Sequence, residues 1–131
     1  QDRPEGVRVI SEATAKTLTE MLIGVTQEGG TAESASINGY LVAGKTGTSE
    51  ILTDDSTVAS FVGFLPARDP VLAIAVIVNR PEGIYGGTVA APVFREVALA
   101  AMQALNIAPD PSVVAAQAAR NGAGGERDAN Q

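Results

Sequence analysis

The chain has 131 residues, carries 15 acidic against 9 basic side chains for a formal charge of −6, and contains neither His nor Cys, which is the size of one domain. Those two absences exclude a Ser-His-Asp triad, a His-ligated zinc, a Cys nucleophile and a disulfide framework, so no metal or cofactor is implied and nucleophilic chemistry rests on hydroxyls and lysine. With only two lysines, Lys16 and Lys45, no nucleic-acid surface is expected.

Apolar residues make up 45% of the chain and aromatics 4%, enough for a core of Val, Ile, Leu and Ala. The longest apolar run, Val71 to Val78, has eight residues, far short of the roughly 20 that a membrane span needs. No signal peptide is legible, and the opening Gln1 reads as the start of a piece cut from a longer precursor.

Ser11 is an N-cap, and Leu18, Met21, Leu22 and Val25 fall on one helical face before Gly29-Gly30, which predicts a helix over about 11–28. Residues 31–38 are small, polar and aperiodic, and read as a loop. Tyr40 to Ala43 begins a strand that continues through Lys45-Thr46-Gly47-Thr48, and Asp54-Asp55 marks a turn. Thr57 to Leu65 is apolar on both alternating faces and reads as an interior strand. The short link Pro66 to Pro70 should pair it antiparallel with the strand at 71–78. After a loop over 80–87, Thr88 or Ala91 caps a helix with Pro92 near its start and Val93, Phe94, Val97, Ala98, Ala101, Met102 and Leu105 at helical spacing. The division expected is an ordered part over 1–109 and a disordered tail over 110–131.

The order helix, three strands, helix is an α+β arrangement, an antiparallel sheet flanked by helices. A strand as apolar as 71–78 wants a neighbour on each side, and the sequence offers one, so a strand from elsewhere is expected to complete the sheet.

Gly39-Tyr40-Leu41-Val42-Ala43-Gly44-Lys45-Thr46 spells the G-x₄-G-K-[ST] phosphate loop. Its context is wrong: the apolar strand lies inside the motif, and Gly47 follows where a helix should begin. The same residues, read as Lys45-Thr46-Gly47-Thr48, are the Lys-Thr-Gly element of penicillin-binding proteins and serine β-lactamases. Together with Ala59-Ser60-Phe61-Val62-Gly63-Phe64 and Tyr85-Gly86-Gly87-Thr88-Val89-Ala90-Ala91-Pro92-Val93-Phe94, the chain from about Val9 to Ala108 closely resembles the C-terminal part of the class B penicillin-binding-protein transpeptidase domain.

The resemblance implies a portion of a serine D,D-transpeptidase that crosslinks peptidoglycan stem peptides and is acylated by β-lactams. Lys45 and Thr48 are then the catalytic residues, and Thr46, Gly47, Thr48 and Tyr85 the substrate-binding ones. The Lys45 charge and the hydroxyls of Thr46 and Thr48 would meet the D-Ala-D-Ala carboxylate, Gly47 would let substrate lie against the strand, and the Thr48 amide would give one oxyanion-hole donor. On a regular strand Lys45 and Thr46 point to opposite faces, so a shared site must wrap the sheet edge.

The family's nucleophile, the Ser of Ser-x-x-Lys, is not in this chain, and Ser36-Ile37-Asn38 is a chance match to its Ser-x-Asn element. The expected partners are a stem peptide, β-lactams and the remainder of the transpeptidase domain, with no nucleic acid. The resemblance also implies a membrane-anchored bacterial parent working on the extracytoplasmic side of the cytoplasmic membrane in cell-wall synthesis. A serine β-lactamase or β-lactam-sensor fragment, or a non-catalytic binding fragment, is the alternative. Lys16, Arg68 and Arg80 read as solvated.

Overall fold

The computed structural model describes residues 6–51, 56–81 and 86–124, with side chains described up to residue 120. Helix α1, Glu12–Gly24, opens on Ser11, whose Oγ accepts from the Thr14 amide at 3.1 Å. A single 3₁₀ turn, Glu33–Ala35, precedes strand β1, Ala43–Ile51. Strands β2, Ser56–Leu65, and β3, Leu72–Asn79, follow, then helices α2, Gly86–Ala104, and α3, Pro111–Gly124.

The sheet is antiparallel in the order β1-β2-β3. Lys45 lies opposite Val62, which lies opposite Ala75, and Thr46 opposite Phe61 and then Val76. Paired residues share a face, so this register sorts the side chains. On one face Phe61, Leu65 and Ala59 are fully buried beneath Ala90, Ala91, Phe94, Ala98 and Met102 of α2. The rings of Phe61 and Phe94 meet edge to face with centroids 4.8 Å apart. Leu72, Ile74, Val76 and Val78 pack on this core from β3.

Among the described residues the opposite face is covered at one end, where Ile23 and Leu22 of α1 pack on Ala43, Phe64 and Ala67. Arg68, in the β2–β3 link, reaches α1 and donates to both carboxylate oxygens of Glu20, at 3.0 and 3.2 Å. Arg68 stays exposed, as the sequence reading expects, so this is a surface ion pair. Beyond this end the face is bare: Val62 is 53% and Ile77 69% exposed.

Four differences from the sequence reading have physical causes. Helix α1 stops at Gly24, because residues 25–30 fold back in tight turns around Thr26. The buried Thr26 hydroxyl lies 2.8 Å from the Val42 carbonyl and 3.1 Å from that of Ile23. Leu18 and Met21, which share a helical face with Leu22 and Val25, are exposed, because no described residue covers that side of α1. The strand starts at Ala43 rather than Tyr40, since Tyr40 is taken up in a turn closed by an Ile37–Tyr40 bridge. Finally, residues 111–124, expected to lie in a disordered tail, form α3, which carries a buried Val113 and a half-buried Gln117 that bonds to the turn 37–40 ahead of β1. Helix α2 also begins earlier than expected, which puts Pro92 inside it. The Asp54-Asp55 turn lies outside the described residues.

Candidate active site

Strand β1 runs along one edge of the sheet, and the Lys-Thr-Gly element occupies its first half. The extended backbone here rules out a phosphate loop, because amides that alternate in direction cannot converge on an anion. Lys45 is exposed and rises on the face that α1 leaves open, beside Val62. Thr46 and Thr48 are on the α2 face.

The two faces meet at the edge. Lys45 Nζ bends over the strand, donates to the Thr46 carbonyl at 2.9 Å and comes within 3.4 Å of Thr46 Oγ1. An ammonium and a hydroxyl from opposite faces thus converge at the open side of β1, the placement that a carboxylate-gripping pair requires.

The strand is seated by two side-chain omissions. A Cβ on Gly44 would stand 2.3 Å from Phe61 Cζ, so the ring occupies the space that a side chain would take. A Cβ on Gly47 would stand 2.5 Å from Ser60 Oγ, whose hydroxyl donates to the Gly47 carbonyl at 3.3 Å. Ser60 thereby holds the backbone between Thr46 and Thr48 from the β2 side.

Thr46 and Thr48 also line a cleft of about 530 Å³ with Thr31, Glu33, Ser34, Gly87 and Thr88. Ser34 Oγ donates to the Gly87 carbonyl at 2.8 Å, tying the 3₁₀ turn to the start of α2. Thr31, Glu33 and Ser34 have no periodic signal, and their segment reads as loop from the sequence alone. Ser36 and Asn38 instead line a larger cleft with Gln27, Arg95 and Arg120, to which β1 contributes nothing. That separates the chance Ser-x-Asn match from the Lys45 strand. Tyr85 lies outside the described residues. Among the described residues no three His, Cys, Asp or Glu side chains come together as a metal cluster.

The described part of the chain is an antiparallel sheet with helices on its two faces and a Lys-Thr-Gly-Thr strand at its edge. The family described as the penicillin binding protein transpeptidase domain matches residues 1–99, and the chain belongs to that family. It is 40% identical over 113 residues to the probable peptidoglycan D,D-transpeptidase PenA of Neisseria flavescens, across 81% of this chain and 28% of that protein. To the peptidoglycan D,D-transpeptidase FtsI of Escherichia coli (strain K12) it is 36% identical over 112 residues, across 80% of this chain and 19% of that protein. The apo TP domain of penicillin-binding protein 3 from Burkholderia pseudomallei superposes with a TM-score of 0.74 at 36% identity, over 82% of this chain and 35% of that one. The chain thus spans about a fifth to just over a quarter of the length of these two curated relatives.

Proposed function

We propose that this chain forms the Lys-Thr-Gly wall of a peptidoglycan D,D-transpeptidase whose nucleophile is carried by the rest of the protein. The observation that carries the reading is the meeting of Lys45 Nζ and Thr46 Oγ1 at the open edge of β1. Lys45 Nζ donates to Thr46 here, and both the ammonium and the hydroxyl have further donor capacity for a carboxylate arriving along the edge. A stem peptide would lie along β1 as an added strand, with Gly47 leaving room for it. Its terminal carboxylate would take the ammonium and the hydroxyls of Thr46 and Thr48.

The serine hydroxyl of the remaining domain then attacks the penultimate D-Ala carbonyl, and its proton passes to the departing nitrogen as the peptide C–N bond breaks and D-Ala leaves. The Thr48 amide is one donor to the oxyanion of that step, a contribution of about 2.7 to 4 kcal/mol in well-formed oxyanion holes. An amine of a second stem peptide attacks the ester, the C–O bond breaks and the serine regains its proton. A β-lactam follows the first half of this course. The likeness to peptidoglycan D,D-transpeptidases favours crosslinking over β-lactam hydrolysis.

The bare sheet face supports the division of labour. Val62 and Ile77 are exposed beside Lys45, and the outer edge of β3 has no strand partner among the described residues. The remainder of the domain is the partner that would cover this face, pair with β3 and bring the serine over Lys45. No helix among the described residues is long and apolar enough to cross a membrane. The reading places the reaction on the outer side of the cytoplasmic membrane, where its substrate is.

The test is penicillin acylation of the complete protein, followed by intact mass of every polypeptide present. The adduct is expected on a segment holding Ser-x-x-Lys, and Lys45→Ala is expected to slow its formation at least about tenfold through the lost charge on the carboxylate. An adduct within these 131 residues, or an unchanged rate in Lys45→Ala, would refute the reading.

A further inference from the structure

We infer that the C-terminal segment 105–120, all of which lies beyond the stretch matched by the family, is a strap that sets the position of β1, with Gln117 as its positioning residue. The segment acts on the turn 37–40 that leads into the strand. That turn is closed by the Ile37–Tyr40 bridge, with Gly39 at φ +82°. Ile37, Gly39 and Tyr40 are all buried, so their backbone polar groups need partners from within the protein.

The C-terminal segment supplies those partners. The Gln117 carboxamide lies across the turn: its Oε1 accepts from the Gly39 amide at 2.8 Å and its Nε2 donates to the Ile37 carbonyl at 3.2 Å. A donor and an acceptor side by side on one planar group are what only Asn and Gln offer. The Asp110 amide donates to the Gly39 carbonyl at 2.8 Å, and the Tyr40 hydroxyl donates to the Ile107 carbonyl at 2.6 Å. Pro109 packs where a Gly39 side chain would stand, with its Cβ 2.4 Å from that position. The strap is itself anchored, because Asp110 Oδ1 accepts from the amide and the hydroxyl of Ser112 at 2.8 and 2.7 Å and so caps α3.

From this turn to β1 there is no slack. The Leu41 carbonyl accepts from the Ala67 amide at 2.8 Å, and the Val42 carbonyl accepts from the Thr26 hydroxyl at the same distance. Ala43 then enters the sheet, two residues before Lys45. Because β1 pairs on one side only among the described residues, its entry fixes its placement, and a turn released from Gln117 passes its motion to Lys45.

Hydrogen exchange by mass spectrometry on the complete protein tests this. Gln117→Met keeps the length and packing of the side chain and removes both hydrogen bonds, and Gln117→Ala serves as the second variant. Exchange in residues 39–47 is expected to speed up about fivefold or more while residues 72–79 stay unchanged. Unchanged exchange in 39–47 overturns the inference, and so does an equal acceleration in 72–79, which would mean a contribution to general stability alone. The strap does not depend on the reaction proposed above. Faster exchange in 39–47 with an unaltered penicillin acylation rate would uphold the strap and count against the role given to Lys45.

Discussion

Gly44→Ala probes how tightly the Lys45 strand is seated. The φ angle of Gly44 is not in the left-handed region, so the constraint is one of space. The added methyl would lie 2.3 Å from Phe61 Cζ, 2.9 Å from Phe61 Cε1 and 3.0 Å from the Val62 carbonyl oxygen. Carbon atoms rest about 3.5 Å apart at closest comfortable contact, so the ring or the strand must yield by about 1.2 Å. Phe61 has nowhere to go. It is fully buried, its edge is set against Phe94, and Gly63, whose own missing side chain would stand 3.0 Å from both rings, closes the remaining side. Overpacking of this kind destabilises by about 1 to 3 kcal/mol. Urea unfolding of the complete protein should show a lower midpoint with an unchanged slope. The double variant Gly44→Ala/Phe61→Leu should recover part of the loss, with a coupling of at least about 1 kcal/mol. A single variant within about 0.5 kcal/mol of the parent, or strict additivity with Phe61→Leu, would refute the reasoning.

Thr26→Val should destabilise by about 1 to 3 kcal/mol, because it leaves the buried Val42 carbonyl without its hydroxyl donor while changing shape very little. Denaturant midpoints of Thr26→Val and Thr26→Ser settle this, since Ser keeps the hydroxyl and should be the milder of the two. The Glu20–Arg68 pair gives a pH signature. Arg68's hydrogen bonds hold the Glu20 carboxyl below its ordinary range, so its stabilisation is present above the unfolded carboxylate value of about 4.3 and is lost as pH falls through the lower folded value. The Tm difference between the parent and Glu20→Gln should therefore be positive at pH 7 and vanish on acidification. A difference that persists at pH 2 would mean that packing, and not charge, joins the β2–β3 link to α1.

Much of the sheet is legible in the sequence because each strand carries its own signal. The short Pro66 to Pro70 link predicts the antiparallel pairing of β2 and β3, and the Lys-Thr-Gly element marks β1 without reference to packing. What is less legible depends on distant partners. The face of α1 that bears Leu18 and Met21 has the periodicity of a buried helix, but periodicity does not say which molecule or segment does the burying. Residues 31–38 look like loop because Ala32, Ala35 and Ile37 enter the core without a regular repeat. Ser34 reaches the site region only through Gly87, 53 residues away. Helix α3 is rich in small and polar residues and resembles a solvated tail; its place is fixed by Gln117, Val113 and Asp110, which a composition argument weighs no more than their neighbours. The geometric puzzle of Lys45 and Thr46 on opposite faces is resolved by the long lysine stem, which reaches around the edge to Thr46.

The two margins of the sheet carry different chemistry. Along β1 the side chains include Lys45, Ser49 and Glu50, which discourage permanent association, whereas β3 reads Leu-Ala-Ile-Ala-Val-Ile-Val-Asn with no charge at all. A margin with charged side chains can be left in water; among the described residues the β3 margin has no such protection. Any molecule caught with β3 uncovered presents an extended apolar ribbon of the kind that chaperones and proteases bind.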